Sequence, residues 1–152
     1  MTERSVTHAT FVIERVYPAA PERVFQAWSD PMVKAQWFKG PEDWDGEPAE
    51  LDFRIGGIET NSGGPDGGPI HTMKSTYYDI VPNERIVSCY EMYIDDARMS
   101  VSVGTLEIKP KGDGTLMTYT EQGAFLDGLD QPKFREHGTG ELLDALGRFL
   151  SA

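Results

Sequence analysis

Residues 18–41 read PAAPERVFQAWSDPMVKAQWFKGP, and this stretch decides the fold. Pro21 suits the first position of a helix, where its missing N–H is not needed, and Glu22 complements the dipole of the first turn. Val24, Phe25 and Trp28 follow at helical spacing, which predicts a helix from about Pro21 to Ser29. Asp30-Pro31 repeats the device, a capping side chain followed by a proline. Val33 and Trp37 then lie i, i+4 on one face, and Gly40-Pro41 ends a second short helix. Both tryptophans are expected on buried faces.

The flanking segments read as strands. Before the helices, 7–17 (THATFVIERVY) carries β-branched and aromatic residues in rough alternation, preceded by a polar tail over 1–8. After them come 48–55, 70–81, 85–94, 98–109 and 114–123, with a short strand near Ile58–Thr60. Gly56-Gly57, Pro82-Asn83, Asp95-Asp96 and Gly112-Asp113-Gly114 supply the turns. Residues 61–69, NSGGPDGGP, read as a mobile hairpin tip without the Gly-Lys-Ser/Thr ending of a phosphate loop. Asp130 and Pro132 open a final helix over 131–151, with an apolar stripe at Leu142, Leu143, Leu146, Phe149 and Leu150. Gly138-Thr139-Gly140 marks a kink or a late start in it.

Short turns between successive strands imply an antiparallel meander, and such a sheet needs a cover on one face. The last helix is the one element long enough to serve. The expected class is α+β: a curved antiparallel sheet wrapped around a long C-terminal helix, with two short helices closing one end. Space left between sheet and helix is where a pocket belongs.

Composition narrows the partners. The 152 residues carry a formal net charge of −11, which opposes nucleic acid and anionic membrane surfaces. No strictly hydrophobic run exceeds three residues, so neither a spanning helix nor a secretory core is expected, and the expected location is cytoplasmic. The single cysteine, Cys89, excludes an internal disulfide and reads as a small buried thiol. His8, His71 and His137 lack the spacing of a local metal motif; no metal and no cofactor are expected.

Several side chains are candidates for a pocket. Trp37 and Phe38 would line its entrance, and Tyr77, Tyr93, Tyr119, Met73, Met92, Met99 and Met117 offer soft lining in some subset. Arg54 reads first as half of an ion pair, with the neighbourhood of Asp52 or an adjacent strand, and second as an anchor for a ligand carboxylate. His71, Glu91 and Glu121 are the candidates for acid–base work. Period 2 places Glu91 with Val87, Cys89 and Tyr93, and Glu121 with Met117 and Tyr119. Which face is concave stays open, since a one-residue bulge, for instance at Gly104, would invert part of the assignment.

The run Ala20–Pro31, followed by Gln36-Trp37-Phe38 and Gly40-Pro41, resembles the signature of the SRPBCC (START/Bet v 1-like) superfamily. Within it the chain is most similar to the family named after the C-terminal domain of the activator of Hsp90 ATPase (AHSA1-like). Leu51–Gly57 (LDFRIGG), Tyr77–Val87 (YYDIVPNERIV), Gly114-Thr115 and the Leu-rich last helix carry the rest of the resemblance, which covers residues 9–151 as one domain. It implies the helix-grip fold, whose members bind lipids, sterols, polyketides or plant metabolites; some are cyclases or dehydratases, and some are Hsp90 co-chaperone domains. The family's Gly-Trp pair early in the last helix corresponds here to Gly138-Thr139, a change that would enlarge the pocket mouth. The leading expectation is a non-catalytic module for a small hydrophobic molecule. The alternatives are an enzyme of cyclase, dehydratase or hydrolase type using a cavity carboxylate or His71, and a chaperone-interacting module. Chaperone contact is disfavoured, because the chain lacks the separate N-terminal domain of the eukaryotic co-chaperone. A homodimer is compatible with a small domain, though no feature demands one.

Overall fold

The computed structural model describes residues 3–41, 44–45 and 49–152. The chain runs β1 (Val6–Tyr17), α1 (Pro21–Ser29), α2 (Pro31–Lys34), β2 (Trp44–Asp45), β3 (Glu50–Leu51), β4 (Ile58–Pro65), β5 (His71–Val81), β6 (Arg85–Ile94), β7 (Ala97–Lys111), β8 (Gly114–Leu126) and α3 (Pro132–Ser151). The strands form one sheet in the order β1-β8-β7-β6-β5-β4-β2, with β3 also on β4, and every pairing is antiparallel. The helix-grip arrangement expected from the sequence is present, with α3 against the concave face.

Alternation sets the inner face. In β1, Phe11, Ile13 and Tyr17 are buried while Val12 and Val16 face outward. Two bulges bend the sheet, one at Tyr78 between β5 and β6 and one at Met99 between β6 and β7. Gly104 is not a bulge: it stays in register with Ser88 and Glu121. A Cβ there would meet the Tyr119 hydroxyl at 2.7 Å, so glycine leaves room for that ring to lie across the strand.

Asp30 caps α2 as expected, its Oδ1 accepting from the Met32 and Val33 amides at 2.9 and 3.4 Å. The C-terminal half of α3 is firmly seated. Leu143, Leu146 and Leu150 are buried, the Tyr17 hydroxyl donates to the Leu143 carbonyl at 2.7 Å, and Arg23 donates to that of Leu150 at 2.8 Å. The N-terminal half stands off the sheet, and an added Cβ at Gly138 would touch nothing within 4 Å.

Five expectations change. The second short helix stops at Lys34 rather than at Gly40-Pro41, because the backbone bonds of Gln36 and Trp37 tighten to the carbonyls three residues back. Residues 6–8, assigned to a polar tail, already belong to β1. The strand expected over 48–55 shrinks to Glu50–Leu51, because the chain turns at Arg54–Gly56, where Gly56 takes a φ of 83°; position 48 itself lies outside the described residues. The glycine-rich segment is mostly strand. β4 continues to Pro65 because β2 and β5 pair it on both sides, and only Asp66-Gly67-Gly68 turns. Gly64 permits this, since a Cβ there would lie 2.1 Å from the Pro69 carbonyl oxygen. Finally, α3 runs unbroken through Gly138-Thr139-Gly140, and its N-cap is Gln131 rather than Asp130. The Asp130 carboxylate instead receives Arg135 at 2.9 Å.

Candidate functional site

A cavity of about 960 Å³ lies between the concave face and the N-terminal half of α3, at the upper end of the usual range for small-molecule sites. β5, β6 and β7 present Met73, Met92, Met99 and Leu106 to it, and α3 presents Leu142. The exposed wall residues are Lys39, Gly40 and Pro41 after α2, and Phe134 and Gly138 on α3, so the opening lies between these two segments.

Two ionised clusters interrupt this apolar wall. The first joins α2 to the sheet. Lys34 Nζ and the Tyr77 hydroxyl both donate to Glu59 Oε1, at 2.8 and 2.6 Å, with all three side chains buried. The Lys34 ammonium also sits 4.4 Å from the Phe38 ring centroid and 5.3 Å from that of Trp28. Burial pushes the Lys34 amine below its ordinary value, with Glu59 opposing. Burial, and then the Glu59 charge, push the Tyr77 hydroxyl up, so it remains a donor. Two polar groups are left over. Among the described residues, Glu59 Oε2 has no hydrogen bond and the buried Trp28 Nε1 has no partner.

The second cluster joins α3 to the sheet. Glu121 is fully buried and accepts four hydrogen bonds: Tyr90 and Tyr119 hydroxyls on Oε1 at 2.7 and 2.9 Å, Ser102 and Arg135 on Oε2 at 3.0 and 3.1 Å. Arg135 further donates to Tyr90, Ser100 and Asp130. Burial works against the Arg135 charge, but Tyr90, Glu121 and Asp130 outweigh it and hold the guanidinium above its usual value. Burial followed by the Glu121 charge raises the Tyr90 hydroxyl; burial followed by Tyr90 and then Glu121 raises that of Tyr119. With both oxygens of Glu121 fully engaged, this cluster is a satisfied network.

The residues singled out from the sequence are distributed unevenly. Phe38, His71, Met73, Tyr77, Met92, Met99 and Tyr119 line the cavity, His71 stacking on Trp44 with centroids 4.9 Å apart. Trp37 does not. It packs edge-on against Trp28 and donates to the Ala27 carbonyl at 2.9 Å, 2% exposed. Met117 is likewise core, and Glu121 lies behind the wall, screened by its own donors. Arg54 is in the turn after β3, exposed and paired with Asp52 at 2.8 Å. Glu91 and Tyr93 bond each other at 3.1 Å, with Arg98 3.0 Å from Glu91 and Lys74 over the Tyr93 ring, away from the cavity. Sequence reasoning missed Lys34, Glu59, Tyr90 and Arg135. Arg135 had a signal: extending the α3 stripe back seven residues from Leu142 reaches it. Lys34 lies i, i+4 from Phe38, a weaker hint.

Comparison with known proteins places this geometry in a lineage. The family model described as "Activator of Hsp90 ATPase homolog 1-like protein" matches residues 18–151. The chain belongs to this family. A solved protein from Rhizobium leguminosarum is 44% identical, with 99% of each chain covered and a TM-score of 0.93. The protein Mll3558 from Rhizobium loti is 48% identical over 96% of this chain and 99% of its own, with a TM-score of 0.88. An AHSA1-like protein from Aeromonas hydrophila, at 20% identity and a TM-score of 0.71 over 94% and 92% of the two chains, shares the fold. No functionally curated protein matches. No helix among the described residues is long and apolar enough to cross a membrane.

Proposed function

We propose that this AHSA1-like protein binds a small, largely apolar molecule in the cavity under α3. The observation that carries this reading is the volume of about 960 Å³ walled by Met, Leu and aromatic side chains, inside a chain otherwise packed by a continuous core. Methionine walls adapt to irregular shapes. The test is native mass spectrometry of protein purified from its source, joined to titration with the neutral dye N-phenyl-1-naphthylamine. A co-purified apolar molecule, or saturable dye binding at one site per chain, is expected. Absence of both overturns the reading.

A second reading, an acid–base enzyme of cyclase, dehydratase or hydrolase type, draws support from one observation: Lys34 Nζ and the Tyr77 hydroxyl both donate to Glu59 Oε1 at the wall, at 2.8 and 2.6 Å. A lowered amine, a carboxylate and a phenol together can give and take a proton. The measurement is chemical conversion of the co-purified molecule on prolonged incubation. Its recovery unchanged argues for binding alone.

A further inference from the structure

We propose that Lys34 is a covalent anchor for carbonyl compounds: its amine condenses reversibly with an apolar aldehyde held in the cavity, forming a Schiff base. The proposal rests on the binding reading above and adds a bond to it. Geometry carries it. Lys34 is the one buried lysine of six; Lys39, Lys74, Lys109, Lys111 and Lys133 are exposed. It lines the cavity, with 8% of its side-chain surface open. The Trp28 and Phe38 rings flank the ammonium, whose one hydrogen bond among the described residues goes to Glu59 Oε1. An apolar surround with a proton acceptor beside the nitrogen is the setting in which a lysine becomes a nucleophile toward carbonyls. Burial here already favours the free amine. The acceptor also has a free end. Trp28 Nε1 is the one sealed side-chain atom without a partner among the described residues, so Glu59 Oε2, which has no hydrogen bond there either, opens onto the cavity.

The proton balance closes within the pair. Glu59 takes one proton from the ammonium, and the freed nitrogen pair attacks the carbonyl carbon to form the C–N bond. Glu59 returns that proton to the former carbonyl oxygen, which gives a carbinolamine. It then takes a second proton from nitrogen and hands it to the hydroxyl, which leaves as water while the nitrogen pair completes the C=N bond. The third proton stays on the iminium. Nothing is oxidised or reduced. A cation still faces the Glu59 carboxylate, so neither partner of the buried pair is stranded by the reaction. The apolar body of the aldehyde then lies along Met73, Met92 and Leu106, displacing water that would hydrolyse the imine.

The experiment treats the whole protein with 2-naphthaldehyde at neutral pH, reduces with cyanoborohydride and locates the resulting secondary amine by peptide mass spectrometry. Lys34 is expected to carry at least about tenfold more label than any of the five exposed lysines, since binding holds the aldehyde beside it. Without reductant, a red-shifted absorbance band of the protonated imine is expected in the wild-type protein and not in Lys34→Arg, which keeps a cation beside Glu59 and forms no imine. Label spread evenly over the six lysines, label on the exposed ones alone, or a band of equal strength in Lys34→Arg overturns the proposal. Peptide mapping is done on the wild-type chain, so a poorly folded variant leaves the test intact. In the same preparation, N-phenyl-1-naphthylamine displaced by 2-methylnaphthalene, with Lys34 unlabelled, sinks the anchor and keeps the binding reading. Failure of the dye to bind, with nothing co-purified, sinks the binding reading itself.

Discussion

Lys34 is the residue on which the site turns. It is buried beside Glu59 with a single direct carboxylate contact, so removing one partner alone strands a charge. Lys34→Met is expected to cost about 3–5 kcal/mol of stability, and adding Glu59→Leu to recover most of that loss; urea midpoints of the two proteins decide. Gly104 is a second pressure point. Gly104→Ala would drive a methyl against the Tyr119 hydroxyl and disturb its bond to Glu121. A loss of about 1–3 kcal/mol is expected, read from the same denaturation curves. Neither role was legible in the sequence. A lone lysine between hydrophobic neighbours reads as solvated, and a glycine within a strand reads as a bulge, because what fixes both is a partner more than ten residues away.

Among the elements, α3 divides into a seated half and a suspended half. Arg135 is the main polar tie of the suspended half, reaching Tyr90, Ser100, Glu121 and Asp130. Arg135→Met should raise amide hydrogen exchange over residues 132–140 severalfold while leaving 143–150 protected, because Leu143, Leu146 and Leu150 hold that half independently. Equal protection of both halves in the variant would show that the tie is dispensable. The elements were largely legible in advance. α1 and β6 fall at their expected bounds, since proline, turn residues and apolar spacing all agree there. Of β4 only the start, Ile58–Thr60, was legible, for Gly63 and Gly64 carry no side chain to alternate and their strand conformation comes from the pairing of β5 and β2. The concave face was equally hidden: the bulges at Tyr78 and Met99 carry no turn residue to announce them. With the face unassigned, Glu91 and Glu121 were equivalent candidates, although one lies outside and the other deep within.

At the scale of the molecule, four of the six tyrosines, Tyr17, Tyr77, Tyr90 and Tyr119, are pushed above their ordinary value chiefly by burial; Glu59 adds to this at Tyr77 and Glu121 at Tyr90 and Tyr119, whereas Arg15 opposes it at Tyr17. A raised folded-state value means that the native protein keeps protons that the unfolded chain releases. Their stabilising contribution is therefore complete below pH 10, the ordinary phenol value, and declines as pH climbs beyond it. Each contributes a slope of about 1.4 kcal/mol per pH unit there. Melting temperature should fall steeply above pH 10, and the tyrosinate absorbance at 295 nm should rise in one cooperative step with the loss of circular dichroism. A gradual rise with the fold intact would refute this. Occupancy of the cavity works in the opposite direction. A ligand at a hundred times its Kd adds about 2.7 kcal/mol, a shift of roughly 5–10 °C at neutral pH by scanning calorimetry.

The pairing of β1 with β8 joins the two ends of the chain's strand series. During synthesis the first strand leaves the ribosome roughly 100 residues before its neighbour exists, a delay of about 5–20 s at ordinary elongation rates. Throughout that wait Phe11, Val12 and Ile13 form a sticky, hydrogen-bond-hungry ribbon on a nascent chain. Whatever shields that ribbon once it is outside the ribosome governs how much of this protein survives its own birth.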